Sequence, residues 1–150
     1  MALQIKNGSD LKVTTQLVVD ELKRFFDAGT AVPLNFDHLS DSVFIKNVDR
    51  IITFSNRAFR DNFSSGKSTI GMRSDAFLQE SIEAVSEKTD DLVLSGVDKL
   101  EFEHIGFCHD RRKYLFRTYK QSLIENHHEP FAILGIARPI QELRGEDDEE

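Results

Sequence analysis

The sequence predicts an α+β fold: a five-stranded antiparallel sheet with short helices on one face and an N-terminal helix on the other. Apolar residues return at helical spacing in two segments, residues 10–26 and 79–95. Five shorter segments carry alternating, aromatic or β-branched residues, which are typical of strands. Turn-sized gaps separate most neighbouring strand segments, so we expect hairpins between them.

Length and composition indicate one globular domain. The chain has 150 residues, 30% of them charged and 39% hydrophobic, which leaves little room for a second domain. The longest apolar run, around residues 131–137, is far shorter than the roughly 18 residues of a membrane span. No signal-peptide pattern opens the sequence. The single cysteine, Cys108, excludes an internal disulfide, and we expect a cytoplasmic protein.

The net charge of −7 comes mostly from the C-terminus. Residues 146–150 are five of the 26 acids, so the other 21 acids nearly balance the 19 lysines and arginines. A nearly neutral body lacks the basic patch typical of nucleic-acid binding, so we expect neither nucleic acid nor membrane as a partner of this region. Twelve phenylalanines and no tryptophan indicate a core filled by rings that need no hydrogen-bond partner.

The N-terminal helix is predicted over residues 10–26. Ser9 or Asp10 can cap it, and Gly29 and Pro33 prevent its continuation. Its apolar stripe consists of Leu11, Leu17, Val18, Leu22, Phe25 and Phe26. This stripe could pack on the chain's own sheet or pair with a second copy of the chain. We favour a homodimer with Leu11, Val18, Leu22 and Phe25 in the contact.

The middle of the chain begins with two short strands. Residues 43–47 and 51–55 are predicted strands joined by a three-residue turn. Asn56 then fits the N-cap of a short helix over residues 57–63.

The rest of the chain predicts one longer helix and a three-stranded meander. The helix covers residues 79–95, and Gly96 fits its C-terminal stop. The strands cover residues 100–107, 113–123 and 131–138. The last of them is almost entirely apolar, which is typical of a central strand covered on both faces.

These elements, in this order, resemble the PAS sensory domains that precede bacterial signalling outputs. The resemblance covers about residues 39–143 and rests on six pieces of sequence. They are 43–47 (VFIKN) with Asp49, 54–59 (FSNRAF), Gly71 with Asp75, 91–96 (DLVLSG), 119–123 (YKQSL) and 133–138 (ILGIAR). In turn they are similar to the family's patterns vfiKD, yxNxAF, GxxxxD, DxxVLxsG, tyKxPL and iLGiaRDITE.

The resemblance divides the chain into a helical extension and linker (1–38), a PAS-like domain (39–143) and an acidic tail (144–150). Pro139 stands where the family usually has the Asp of a closing Asp-Ile-Thr-Glu motif, and Gln141 replaces its Thr. That motif commonly couples the domain to its output. No output domain follows here, which leaves open a stand-alone protein or the sensor region of a longer one.

The resemblance implies a sensory or regulatory module of a bacterial regulator that binds a small ligand or a protein partner. A fold alone does not identify the ligand. Flavin photoreceptors of this family carry a reactive cysteine in an Asn-Cys-Arg-Phe loop, whereas Cys108 lies in a predicted hairpin turn. Haem sensors usually take their axial histidine from the long helix, and residues 79–95 contain none. We therefore expect neither flavin–thiol chemistry nor haem.

Other chemistry is only weakly indicated. Residues 65–69 (SGKST) end like a phosphate-binding loop, but Asp61 stands where its first glycine belongs. His104, Cys108 and His109 are close in sequence, but no fourth metal ligand is evident, so we expect no metal site.

No base is positioned to activate Cys108. An enzyme on a related curved-sheet fold would need an aspartate or glutamate in a pocket, and Glu101 and Glu103 alternate to the wrong face of their strand. We therefore expect no catalytic residue and no enzyme activity.

Strand alternation predicts the residues of a ligand pocket. If Leu100 faces the core, residues 102 and 104 do so too, and residues 116 and 118 follow on the next strand. We expect a concave face of Phe102, His104, Phe116 and Thr118, with Phe44, Phe54 and Ile82 opposite. A one-residue slip would instead bury Arg117, which is costly.

Two alternatives to the pocket remain open. Polar groups among phenylalanines are typical of a small-molecule site. A buried histidine is, however, more often a core residue bonded to a backbone carbonyl, and His104 could be one. The whole chain could also be a ligand-free structural dimerisation module whose interior is filled by phenylalanine.

Overall fold

The computed structural model describes residues 11–28, 36–74, 80–97, 99–124 and 129–143, with only the backbone at 12, 24–28 and 80–83. It confirms the predicted α+β fold. In chain order the elements are α1 (Leu11–Ala28), β1 (Ser42–Asn47), β2 (Ile52–Ser55), α2 (Arg57–Phe63), α3 (Glu80–Leu94), β3 (Lys99–Phe107), β4 (Lys113–Ile124) and β5 (Pro130–Leu143). None of the helices in these ranges is long and apolar enough to cross a bilayer.

The strands form one antiparallel sheet in the order β2-β1-β5-β4-β3. β5 is therefore central, and its residues 132–139 are all buried. A strand covered on both faces has no side that needs polar residues, which explains its apolar sequence. In the β3–β4 hairpin, Phe102 pairs with Thr118 and His104 with Phe116, so these four residues share one face of the sheet.

Helix α1 packs on the opposite face of the sheet. Leu11, Val18 and Leu22 are 0%, 0% and 2% exposed. They belong to a core cluster that also contains sheet residues Val43, Ile45, Tyr119, Leu123, Ala132, Leu134 and Ile136. The apolar stripe of α1 thus packs on the chain's own sheet, which is the first of the two alternatives given for this helix.

This packing corrects the predicted dimer contact. Leu11, Val18 and Leu22 are covered by the chain's own sheet because an amphipathic helix buries its stripe against the nearest apolar face. The side chain of Phe25 lies outside the described residues. On the outer side of α1, Val13 and Leu17 are 62% and 58% exposed. The sequence predicts Leu17 in the apolar stripe, and for this residue the prediction is wrong.

Asn56 fixes α2 to the sheet. Its Oδ1 accepts hydrogen bonds from the backbone N–H groups of Phe59 (3.0 Å) and Val43 (2.9 Å). Its Nδ2 donates to the carbonyl oxygens of Phe36 (3.0 Å) and Asp41 (2.9 Å). The amide uses both donors and both acceptor positions, so the N-cap expected from sequence also joins α2, β1 and the segment before β1.

The end of β5 departs from the prediction, because the strand continues past residue 138 to Leu143. Pro139 is accommodated where β1 no longer pairs with β5, beside a register shift opposite Phe116. Next to it, buried Arg138 binds Asp41 through both carboxylate oxygens, with Nε 2.7 Å from Oδ1. Arg138 Nη2 also lies 3.3 Å from Thr14 Oγ1 on α1. Arg138 therefore joins β5 to the entry of β1 through the ion pair and to α1 through Thr14.

Candidate functional site

The sheet face opposite α1 and the helices α2 and α3 border a small cavity. Its wall is mostly aromatic and aliphatic, with a few polar side chains. The lining residues are Phe44, Lys46, Phe59, Phe63, Ser74, Val85, Ser86, Phe102, His104, Thr118, Lys120 and Ala137. The space open to the centre of a water molecule is about 40 Å³, and one buried water needs roughly 10–15 Å³ by this measure. The cavity has room for a few waters or one compact ligand.

Four of the six pocket candidates lie on the cavity wall. Phe102 and His104 come from β3, Thr118 from β4 and Phe44 from β1. Phe116 is fully buried behind them, with its ring stacked on His104 at 5.4 Å between centroids. Phe102, His104, Phe116 and Thr118 thus share one face of the sheet, as strand alternation predicts. Phe44 was expected opposite them but lies on the same face, because β1 pairs with β5 in the same sheet.

The prediction for Phe54 is wrong. Its ring lies on the α1 side of the sheet, 5.7 Å from the ring of Phe36 and edge-on to it. The reason is register: β1 and β2 pair Phe44 with Ser55 and Ile45 with Phe54, so Phe44 and Phe54 face opposite sides. Ile82, expected opposite the sheet, has a side chain outside the described residues.

Two lysines on the cavity wall were not assigned to it from the sequence. Lys46 and Lys120 are each 2% exposed, and both bind Asp90 of α3, which is 1% exposed. Lys46 Nζ donates to Asp90 Oδ2 (2.9 Å) and Ser86 Oγ (3.0 Å). Lys120 Nζ donates to Asp90 Oδ1 (2.6 Å), Thr89 Oγ1 (2.8 Å) and the Ser86 carbonyl (3.0 Å). This buried lysine pair anchors α3 to β1 and β4.

A sequence signal for the lysine pair did exist. Lys46 and Lys120 lie two residues after Phe44 and Thr118, so strand alternation turns them to the same face. Their partner carried no such signal, because Asp90 is 44 residues from Lys46 and 30 from Lys120. A lysine is rarely buried without a partner, so the pattern alone favoured a solvated position.

His104 presents a neutral imidazole to the cavity. Its Nε2 lies 3.1 Å from Thr118 Oγ1, where the core-histidine alternative expected a backbone carbonyl. Burial, and to a lesser extent the positive charge of Lys120, lower its pKa from 6.5 to about 4. Among the residues described, its buried Nδ1 has no hydrogen-bond partner. The ring therefore leaves one polar atom unsatisfied at a mostly apolar wall.

No protein-family model matches the sequence, and no curated protein matches it either. Solved structures do share its fold. The PAS domain of a protein from Colwellia psychrerythraea superposes with a TM-score of 0.60 at 17% identity, over 80% of this chain and 97% of that domain. This chain has the PAS fold.

Two further solved structures that are similar to this chain come from a receptor and a regulator. The PAS domain of the Cronobacter turicensis quorum-sensing receptor RpfR, in complex with C12:0, has a TM-score of 0.54 at 13% identity, over 75% of this chain and all of that one. Vibrio cholerae VqmA, in a complex with ligand and DNA, has a TM-score of 0.63 at 12% identity, over 69% of this chain and 48% of VqmA. The chain thus spans about half the length of VqmA.

Within this PAS fold, acidification is expected to destabilise the chain through His104. The folded-state pKa of about 4 lies below the ordinary 6.5, so the unfolded chain binds the proton first. The stability that depends on a neutral His104 is complete above about pH 6.5 and is lost as the pH falls towards 4. Between pH 7 and pH 5 the loss is about 1–2 kcal/mol. Urea unfolding at both pH values, with and without His104→Gln, measures it.

The unmodified chain is the reference for this measurement. His104→Gln should lose the part of the pH dependence between pH 7 and pH 5 that His104 causes. Full pH dependence in the His104→Gln variant would assign the effect to another group.

Cys108 is not placed for chemistry. The thiol is 1% exposed and packs in the aromatic cluster beside α2. Burial, with a smaller contribution from Asp110, raises its pKa far above the ordinary value, which keeps the sulfur protonated and unreactive. Among the described residues no group of three histidine, cysteine, aspartate or glutamate side chains is placed to hold a metal ion.

Proposed function

We propose that this PAS-fold chain is a cytoplasmic sensory module of a bacterial regulator that binds a small ligand in the cavity between the sheet and α2 and α3. The observation that carries the proposal is the unsatisfied Nδ1 of His104 at a wall of aromatic rings. A buried polar atom without a partner is costly, and a ligand that bonds to it removes that cost. His104 and Thr118 then orient the ligand while the rings enclose its apolar part.

The structural neighbours support a role of this kind. The RpfR PAS domain was solved with C12:0, and VqmA with DPO and with DNA. VqmA of Vibrio cholerae is described as a dimer. By analogy we propose that this chain also forms a homodimer and acts through an output domain or a partner protein, without catalytic activity of its own. Analogy of fold alone does not identify the ligand.

A ligand-free dimerisation module is the second candidate. It is favoured by the small size of the cavity and by the packing of Phe44, Phe59, Phe63 and Phe116 around it, with ring centroids 5.1–5.7 Å apart. In that case the rings would serve as an ordinary core and His104 would have no ligand.

Native mass spectrometry of protein purified from cells separates the two candidates. We expect a retained small molecule in the unmodified chain and in His109→Ala, and its loss from His104→Ala. Of these two histidines, His104 lines the cavity and His109 does not. The same spectra report the oligomeric state, and the protein should be colourless because neither flavin nor haem is proposed. A bare protein mass, together with a lower melting temperature as the only effect of His104→Ala, would establish the ligand-free module.

A further inference from the structure

The chemistry of Lys46 narrows the class of ligand that the proposed cavity takes, and this inference rests on the proposed function. An ammonium group has three N–H donors. Among the described residues, Lys46 Nζ donates to two oxygens, those of Asp90 and Ser86. The third N–H has as its neighbour the Phe44 ring, whose centroid lies 5.5 Å from Nζ. A ring face is a weaker partner than an oxygen acceptor.

This third donor belongs to a side chain on the cavity wall. Both Lys46 and Phe44 line the cavity wall, and the lysine is 2% exposed. Bulk water therefore does not solvate the ammonium from outside. Charge-assisted hydrogen bonds are about twice as strong as neutral ones, and they gain most where water is excluded. An anionic oxygen inside the cavity is thus the acceptor that Lys46 favours most.

The apolar part of the cavity wall determines what surrounds the rest of the ligand. Val85, Ala137 and the rings of Phe59 and Phe102 offer only apolar contact. The space of about 40 Å³ accommodates a compact group without a large rearrangement. The imidazole of His104 stays neutral at pH 7, so it bonds to the ligand without adding or removing a charge.

We propose that the cavity binds a compact carboxylic acid, with its carboxylate accepting a hydrogen bond from Lys46 and its short apolar body lying among the rings. The charge of the carboxylate then selects acids over neutral molecules of the same shape. This selectivity depends on Lys46, whereas enclosure of the apolar body depends on the rings.

Butanoate and butanamide test the proposal, because they share shape and acceptor oxygen and differ in charge. Titrations at pH 7 followed by NMR should shift the methyl signals of Val85 and Ala137 with butanoate, at an affinity about tenfold or more above that for butanamide. Lys46→Met keeps a similar length and removes the charge, and should bring the two affinities within about twofold. Lys99→Met, at an exposed position of β3, should leave the preference unchanged.

Each outcome decides the proposal. Equal binding of both compounds, or tighter binding of butanamide, would overturn the anion preference and leave the ligand-binding function standing. If neither compound binds but native mass spectrometry shows a retained molecule, the compact-acid class is wrong and the cavity still binds a ligand. If neither binds and nothing is retained, both proposals fail. The comparison in the unmodified chain holds even if Lys46→Met does not fold.

Discussion

Replacing Asp90 with alanine is expected to lower the free energy of unfolding by about 3–5 kcal/mol, the usual result of removing one partner from a buried ion pair. Asp90 is 1% exposed and accepts from both Lys46 and Lys120. Arg50 Nε also lies 3.8 Å from the same carboxylate. Without Asp90, the ammonium groups of Lys46 and Lys120 stay buried but lose the counter-charge that they share. Urea unfolding at pH 7 measures the change.

The neighbouring Asp91 is the matched control. It is 63% exposed and pairs with Arg50, so Asp91→Ala removes an ion pair at the surface. Exposed pairs contribute about 0–1 kcal/mol, and the variant should unfold close to the unmodified chain. Similar losses in the two variants would contradict the assignment of Asp90 as the anchor between α3 and the sheet.

Gly135→Ala is expected to destabilise the fold by about 3 kcal/mol, the upper end of the range for overpacked cores. A Cβ atom at Gly135 on β5 would lie 2.1 Å from Cζ of Phe44, which crosses directly over this residue. The ring must move, and it is confined by Phe59, whose centroid is 5.1 Å away. Since Phe44 also lines the cavity, the displaced ring should fill it and expel any retained molecule.

A double-mutant cycle tests the steric cause. In a Phe44→Leu background the clash is relieved, so Gly135→Ala should cost less than about 1 kcal/mol there, with a coupling of about 2 kcal/mol. Additive losses in the cycle would show that Gly135 is required for another reason. Thermal unfolding and native mass spectrometry of the four proteins give stability and ligand retention together.

The cavity depends on these two features in different ways. The glycine gives the ring of Phe44 room to lie close to β5, on the wall of the cavity. The lysine pair holds α3 over that space and places an ammonium at its wall. Gly135→Ala should therefore change the shape of the site, whereas Asp90→Ala should release one of its walls.

Much of the fold followed from local periodicity in the sequence. The alternation of Phe102 with His104 and of Phe116 with Thr118 placed all four on one face, and the near-continuous apolar run of β5 identified the central strand. The N-cap at Asn56 could also be predicted from the sequence. An asparagine directly before a helical pattern accepts a hydrogen bond from a backbone N–H within the next three residues, as Asn56 does from Phe59. These features depend on neighbouring residues only, and a period is enough to reveal them.

Only the tertiary structure decided which faces meet. The register of β1 with β2 turned Phe54 away from the cavity, and the sheet rather than a second copy covered Leu11, Val18 and Leu22. Asp90 became the partner of Lys46 across 44 residues of sequence. Periodicity predicts to which side of its element a side chain points, but not what lies on that side. That depends on register and on the packing of distant elements, which are set by the whole chain at once.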